Sequence, residues 1–565
     1  MTFFFNFTVM IIIFSYNILA DDLTSTINQA NKIQQDIEDR IKQEKENFQK
    51  PNTSKGIDAL QFKPTIKTPS MRIKCIDINK TIINNTEYLD IFEKEKIEKK
   101  YSNKCLNKDD FQQILSEITY YYISKGYITT RVYLVPQDLG NKILNIKVVE
   151  GKIENLIIKD NNKNSISKEN VFPNAKDKVL NLRDIEQALD QINRLSSNNA
   201  RLNIEPSKKD GYSKVFIENK VSSPVHYNFA VDNQGSESTG KTQINSSITL
   251  DNFLEANEQI AYNHTKTTKS FFGPSGSSSD SLNLSIPFGY TTFYLGVTKS
   301  DYASPFIVPS GNNLTISGLS NNNNIKLERV FYRNKNIVFN LSSSLTTKRT
   351  RTYIDEQLLD VSSKKFTILD LASNLNLSSK YGNFNFNLGY SKGLRLLNAN
   401  KDLDNLPNDY PHFQFKKIKY ALNYSLPFNA YENKMSFTSS LTGQKTSHTL
   451  HGSEQISIGG LSSVRGFVDN SISGDNGYYV RNELSLNKSI FNNTTNARFY
   501  AGYDYGKVWN ITADVLNGSL SGFTYGMSLY YKTLSFDLFN TRPISVANDM
   551  KKEPNMTWFR IAYRF

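Results

Sequence analysis

The sequence predicts α+β units in the N-terminal part and an all-β C-terminal part that crosses a membrane as an antiparallel barrel. Three observations point there. Hydrophobic residues make up only 38% of the chain, yet aromatics reach 12%, with 35 Phe and 31 Tyr. That balance suits strands with one apolar and one polar face better than a large water-soluble core. After residue 20 no run of about 18 apolar residues occurs, so a membrane span beyond that point would be made of strands. From Pro224 onward, apolar and polar residues alternate at period two between turn signals.

Residues 1–20 read as a secretory signal, with the block Val9-Met10-Ile11-Ile12-Ile13-Phe14 and then Ala20 before Asp21-Asp22. No Lys or Arg precedes Lys32, and Ile18 is bulky near the expected cut, so an uncleaved anchor stays open as the alternative. Residues 21–49 are rich in Gln, Lys, Glu and Asp, with Ile33, Ile37 and Ile41 spaced by four. A helix with so thin an apolar stripe is either a solvated spacer or a body lying in a water-filled lumen. Residues 50–70, with Pro51, Pro64 and Pro69, read as an extended linker.

Residues 71–149 give a strand from Ile73 to Ile78, then a helix opened at Leu106-Asn107 with Phe111, Ile114, Leu115, Ile118 and Tyr122 on one face. Gly126-Tyr127 ends that helix, and strands follow from Thr129 to Val135 and from Lys142 to Val149. Residues 150–222 repeat the plan. Ile153 to Lys159 is a strand, Leu182, Ile185, Leu189, Ile192 and Leu195 mark a helix face, and Arg201 to Ile204 with Lys214 to Ile217 close a small sheet.

Residues 223–565 carry the barrel pattern. Leu282, Leu284, Ile286 and Phe288 alternate with polar neighbours, and after Gly289-Tyr290 the alternation resumes at Phe293, Leu295 and Val297, which is a hairpin with one apolar face. The last strand sets Phe559, Ile561, Tyr563 and Phe565 against Trp558, Arg560, Ala562 and Arg564. Arginines alternating with aromatics suit lipid on one side and water on the other. A soluble β-sandwich is the alternative, but its strands would not carry so uniformly polar a second face. The Asn321-Asn322-Asn323-Asn324 run and the stretch from Gly273 to Ser281 read as exposed loops.

Only two cysteines occur, Cys75 and Cys105. In an exported chain such a pair is most simply a disulfide, closing roughly 30 residues and contributing about 3 kcal/mol through loop entropy. A metal site lacks ligands, since no His lies between them. The net charge of +13 is spread among interspersed acids without a nucleic-acid motif, so no nucleic-acid partner is expected. No G-x-S-x-G, H-E-x-x-H or Walker pattern is present, so neither catalytic residues nor a cofactor are expected.

Two C-terminal segments are the most telling. Gly459-Gly460-Leu461-Ser462 leads into Ser463-Val464-Arg465-Gly466-Phe467, and Gly502-Tyr503-Asp504-Tyr505-Gly506 follows within a strand. Asp504 points to the opposite strand face from Tyr503 and Tyr505, and an inward acid needs a cation that a loop arginine can supply. Upstream, Lys104-Cys105-Leu106, Lys125-Gly126-Tyr127-Ile128-Thr129-Thr130, Val148-Val149-Glu150-Gly151-Lys152-Ile153 and Leu182-Arg183-Asp184-Ile185-Glu186-Gln187-Ala188-Leu189 stand in order over about 150 residues.

Together these segments resemble the two-partner-secretion transporters (the TpsB or haemolysin-activator family) of the Omp85 superfamily. The resemblance implies a plug helix over 21–49, two POTRA domains over 71–149 and 150–222, and a sixteen-stranded outer-membrane barrel over 223–565. It implies a loop holding Val464, Arg465, Gly466 and Phe467 that folds into the lumen, where Arg465 contacts Asp504 on a strand that also carries Gly506. Phe565 would be the C-terminal assembly signal read by the barrel assembly machinery. The implied partners are a large secreted exoprotein and outer-membrane lipid, with no nucleotide used. An Omp85-type assembly factor is the alternative function.

Overall fold

The computed structural model describes residues 30–49, 75–160, 166–272, 275–307, 311–468, 470–512, 515–548 and 550–565. The expected signal segment 1–20, the linker 50–70 and residues 21–29 of the expected lumen helix lie outside the described residues.

The first small unit pairs Lys80–Asn84 parallel to Ile143–Val149, which runs antiparallel to Arg131–Leu134. Two helices cover this sheet, and Ile83, Ile114, Ile118, Tyr122, Leu144 and Ile146 form the shared core. The helix Lys108–Ser124 begins where Asn107 accepts from the N–H of Asp109 (2.8 Å) and Asp110 (3.0 Å) while Asp110 accepts from Asn107 N–H (2.8 Å). This reciprocal cap satisfies backbone donors that the first turn leaves unpaired. The other helix, Ile91–Tyr101, went unread in the sequence because only Ile97 and Tyr101 of its residues are buried. The leading strand is Ile76–Ile78, paired with Lys104–Leu106, and the Cys75–Cys105 disulfide ties this two-stranded ribbon across a 30-residue separation.

The second unit repeats the architecture with Lys152–Asp160 parallel to Tyr212–Asn219 and Ala200–Pro206 antiparallel beside it. Its helix Leu182–Asn193 buries Ile185, Ala188 and Ile192 against Ile153, Val215 and Ile217. Gly126 joins the two units. Its φ of +99° is open to glycine, its carbonyl accepts from Leu182 N–H at 2.8 Å, and a Cβ there would strike Asn181 Oδ1 at 2.5 Å.

Sixteen strands, from Val225–Asp232 to Met556–Arg564, close into an antiparallel barrel. Closure pairs every strand on both sides, the condition for spanning lipid without orphaned backbone groups. At the seam Tyr227 and Phe565 exchange backbone hydrogen bonds of 2.8 and 2.9 Å. Outward Phe523 and Tyr525 are exposed while inward Thr524 and Ser528 are buried, the expected lipid-out, polar-in alternation.

Two expected loops are strand instead. The asparagine run lies within Asn313–Arg333, where Asn324 turns inward and donates to Thr346 at 2.9 Å. Residues 276–281 open the strand Gly276–Phe288, with Ser277 and Ser281 buried, while 273–274 lie outside the described residues. The physical reason is shared: a strand facing a wet lumen is polar on its inner face, so a polar run there is not a turn signal.

The second unit is fastened to the short turns at one end of the barrel. Arg333, fully buried, donates to Asp190 (2.6 Å) and Gln187 (3.1 Å) and lies 3.4 Å from Glu186, all on the helix Leu182–Asn193. Gln191 donates to Gly289 O and Thr292 Oγ1, and Tyr290 donates to Asp184 at 2.6 Å.

Candidate functional site

A loop from residue 447 to residue 475 leaves the strand Asn433–Thr446 at the end away from these turns and returns into Asn476–Ile490. Rather than projecting away, it folds back against the inner wall. A small ribbon, Ile456–Ile458 with Ile472–Gly474, gives it internal structure. Val464 and Phe467, both buried, pack with Ile456, Ile458 and Ile472 of the loop against Val508 and Leu520 of the wall. Apolar contacts therefore fix the base of the loop before any charge is considered.

Arg465 sits at the tip of this packed body. Its Nε donates to Asp504 Oδ2 at 2.7 Å, its Nη2 to Asp504 Oδ1 at 2.9 Å, and its backbone N–H to Asp504 Oδ2 at 3.0 Å. The side chains are nearly sealed from water, at 7% exposure for Arg465 and 1% for Asp504. A two-pronged, charge-assisted contact of this kind fixes direction as well as distance. A second carboxylate, Glu483 on the neighbouring strand, accepts from Arg465 Nη1 at 2.8 Å and also meets Arg498. Arg465 and Arg498 are thus both paired, through Asp504 and Glu483. Arg481 adds a bond to Ser462 O at 3.2 Å, and Glu553, in the connection between Leu534–Ser545 and Met556–Arg564, accepts from Val468 N–H and Asn470 N–H.

Glycines shape the seat. Gly466 has φ +125°, and a Cβ there would press on the backbone of Arg542 and Pro543. On the wall, a Cβ at Gly506 would lie 2.9 Å from Val464, one at Gly502 would lie 2.6 Å from Arg465 Nη2, and one at Gly522 would overlap the Arg465 carbonyl oxygen. The backbone approaches the loop closely because these wall positions have no side chain.

The structure therefore brings Val464, Arg465, Gly466, Phe467, Asp504 and Gly506 into one body. Cys75 and Cys105 lie apart in the first unit, and Phe565 lies at the barrel seam. Glu483, Arg498, Gly502 and Gly522 belong to the site and were missed as such. Glu483 carried one usable signal, its same-face alternation with Arg481 and Tyr479 on the strand entered from the loop.

The lumen also holds the helix of residues 30–48. Its Ala30, Ile33 and Ile37 are buried against Tyr302 and Ile316 of the wall, with Ile41 beside them. Its other sides make polar contacts. Arg40 donates to Gln243 (3.2 Å), Gln35 accepts from Ser473 of the loop (2.8 Å), and Glu38 accepts from Lys348 (3.2 Å). Lys348 also donates to Glu454 of the loop at 2.7 Å, and Lys417 donates to that same Glu454 at 2.8 Å. Helix, loop and wall therefore share one charge cluster.

In the second unit, Ala200–Pro206 is paired on one side only among the described residues. That leaves a strand edge beside the helix Leu182–Asn193.

Comparisons with known proteins agree with this architecture. The family model described as haemolysin secretion/activation protein ShlB/FhaC/HecB matches residues 211–529. A POTRA domain of ShlB type matches residues 76–151, and a further POTRA domain matches 152–206. The chain is 28% identical to the outer membrane transporter CdiB of Dickeya dadantii, over 95% of this chain and 94% of that one. It is 30% identical to the hemolysin transporter protein ShlB of Serratia marcescens, over 82% and 81%. Among solved structures, CdiB from Escherichia coli superposes with a TM-score of 0.84 at 28% identity, covering 94% of this chain and 98% of the other.

Proposed function

Because the chain belongs to the haemolysin secretion/activation protein ShlB/FhaC/HecB family and is a two-partner-secretion transporter of the outer membrane, with its POTRA domains in the periplasm, we propose how its parts divide the work. The cargo is one large exoprotein, met unfolded in the periplasm. Its extended segments add to the free edge of Ala200–Pro206 or lie in the groove beside Leu182–Asn193, since backbone hydrogen bonds offer affinity without demanding one sequence. The helix of residues 30–48 closes the pore at rest and leaves it when cargo enters.

The inward loop, held by Arg465 on Asp504, keeps the lumen wall in the shape that passes the chain. The observation that carries this reading is the three-contact grip of Arg465 on Asp504 in a seat lined by glycines. Transport proceeds without nucleotide hydrolysis, biased outward by folding of the cargo outside the cell. Phe565 completes the seam and is read during insertion by the barrel assembly machinery.

The test is co-expression of this chain with a candidate large exoprotein from the same genome, scoring cargo in the medium. Secretion that depends on the chain supports the reading. Equal secretion without it removes the proposed cargo relation.

A further inference from the structure

On the outer face of five neighbouring barrel strands stand six exposed basic residues: Arg349, Arg351, Lys365, Lys392, Lys416 and Lys445. All lie toward the strand ends opposite the turns that hold the second POTRA domain, and so at the cell-surface rim. The register sets like charges face to face. Arg349 is directly opposite Lys365, and Lys392 is directly opposite Lys416, with Lys445 one step beyond. Like charges in directly opposed positions destabilise a sheet. Among the described residues no carboxylate is in ion-pair contact with any of the six.

Three inward lysines on two of the same strands are handled differently. Lys348 and Lys417 share Glu454, and Lys419 has Asp370 at 2.6 Å. On these strands the chain thus supplies counter-charges to lysines inside the barrel and none to the six basic residues of the outer rim. Directly beneath the basic rim the outward face turns apolar, with Leu371, Leu388, Tyr390 and Ile418 exposed.

A surface that is cationic at the interface and apolar below it complements an amphiphile with an anionic head. Two opposed pairs on successive strands call for more than one phosphate. We propose that this face is a docking surface for a multiply phosphorylated glycolipid of the outer leaflet. Its phosphates sit at Arg349/Lys365 and Lys392/Lys416, and its acyl chains lie on the apolar band. Bound lipid neutralises the repulsion across both pairs and fixes the barrel's height in the membrane.

Native mass spectrometry of the full chain in detergent tests this with three probes: diphosphorylated lipid A, the same lipid with its phosphates removed, and phosphatidylglycerol. The phosphorylated glycolipid should bind at least about tenfold more tightly than either of the others, since charge-assisted contacts are lost with each phosphate. The variant R349Q/K365Q/K392Q/K416Q should bind it no better than the dephosphorylated form. K434Q/K488Q, at exposed lysines of the opposite rim, should bind it as the unmodified chain does. Heat-modifiable migration reports folding. If the quadruple variant does not fold, R349Q/K365Q and K392Q/K416Q should each weaken binding about threefold. Equal binding of the phosphorylated and dephosphorylated lipids, equal binding of phosphatidylglycerol, or unmodified-level binding by a folded quadruple variant or by both doubles would overturn the proposal.

Discussion

At the scale of single residues, the seat of the loop depends as much on missing side chains as on the charges. Gly522 faces the Arg465 carbonyl with no space for a Cβ, and its backbone cannot retreat without breaking the ladder to Leu534–Ser545. Gly522→Ala should therefore displace Arg465 while both charges remain, and lower secretion as removal of the arginine does. Cargo in the medium per transporter in the membrane measures it, and secretion at the unmodified level would show that the seat is not tight. Arg465 and Asp504 were legible in the sequence because the motif around each is local: a glycine-flanked arginine and an acid out of phase with two tyrosines. The second carboxylate was not, since a Glu on a lumen-facing strand looks like any other solvated acid until the loop is folded onto it. The glycines at 502 and 522 were equally silent, for what they make room for lies dozens of residues away in the chain.

At the scale of elements, the helix of residues 30–48 rests on one thin apolar stripe and several polar contacts, and this is a weak purchase. Ala30, Ile33 and Ile37 bury only small or medium side chains, and the Glu38–Lys348–Glu454 connection makes the helix a partner of the loop as well as of the wall. Deletion of residues 30–49 should raise conductance in planar bilayers with the barrel still folded. Glu38→Gln should raise the fraction of open time in the same direction and by less. Unchanged conductance in the deletion variant would mean that the helix does not obstruct the pore. The helix itself was readable from Ile33, Ile37 and Ile41, and the hairpin at Gly289-Tyr290 from its alternation. The helix Ile91–Tyr101 and the asparagine strand were not, because one offers two buried positions and the other is polar on the face that water wets.

At the scale of the whole molecule, three bodies meet around one pore. The second POTRA domain is clamped to the barrel's periplasmic turns through Arg333, the helix of residues 30–48 lies against the lumen wall, and the loop links that helix to the wall. The barrel closes only where the last strand meets the first, so removing Phe565 takes away both backbone bonds to Tyr227. The truncated chain should lose heat-modifiable migration in outer membranes, whereas normal migration would show that the final residue is dispensable for assembly. Alternation along each strand made the barrel legible, while the fit of POTRA domain to barrel could not be read, because Arg333 and Glu186 are brought together only by the fold. The central claim is that Arg465 and Asp504 act as one unit to hold a transport-competent loop. Removing Asp504 leaves Arg465 with Glu483 alone, and removing the Arg465 side chain leaves Asp504 with the backbone N–H of that position, at a local cost of about 1–3 kcal/mol, enough to unseat a loop and too little to open a sixteen-stranded barrel. The most direct measurement compares cargo secreted per folded transporter for Arg465→Ala, Asp504→Ala and the double variant. Each single variant should lose most secretion, and the double should be no worse than either, as expected of coupled residues. Secretion at the unmodified level by Arg465→Ala, or losses that simply add in the double variant, would contradict the account.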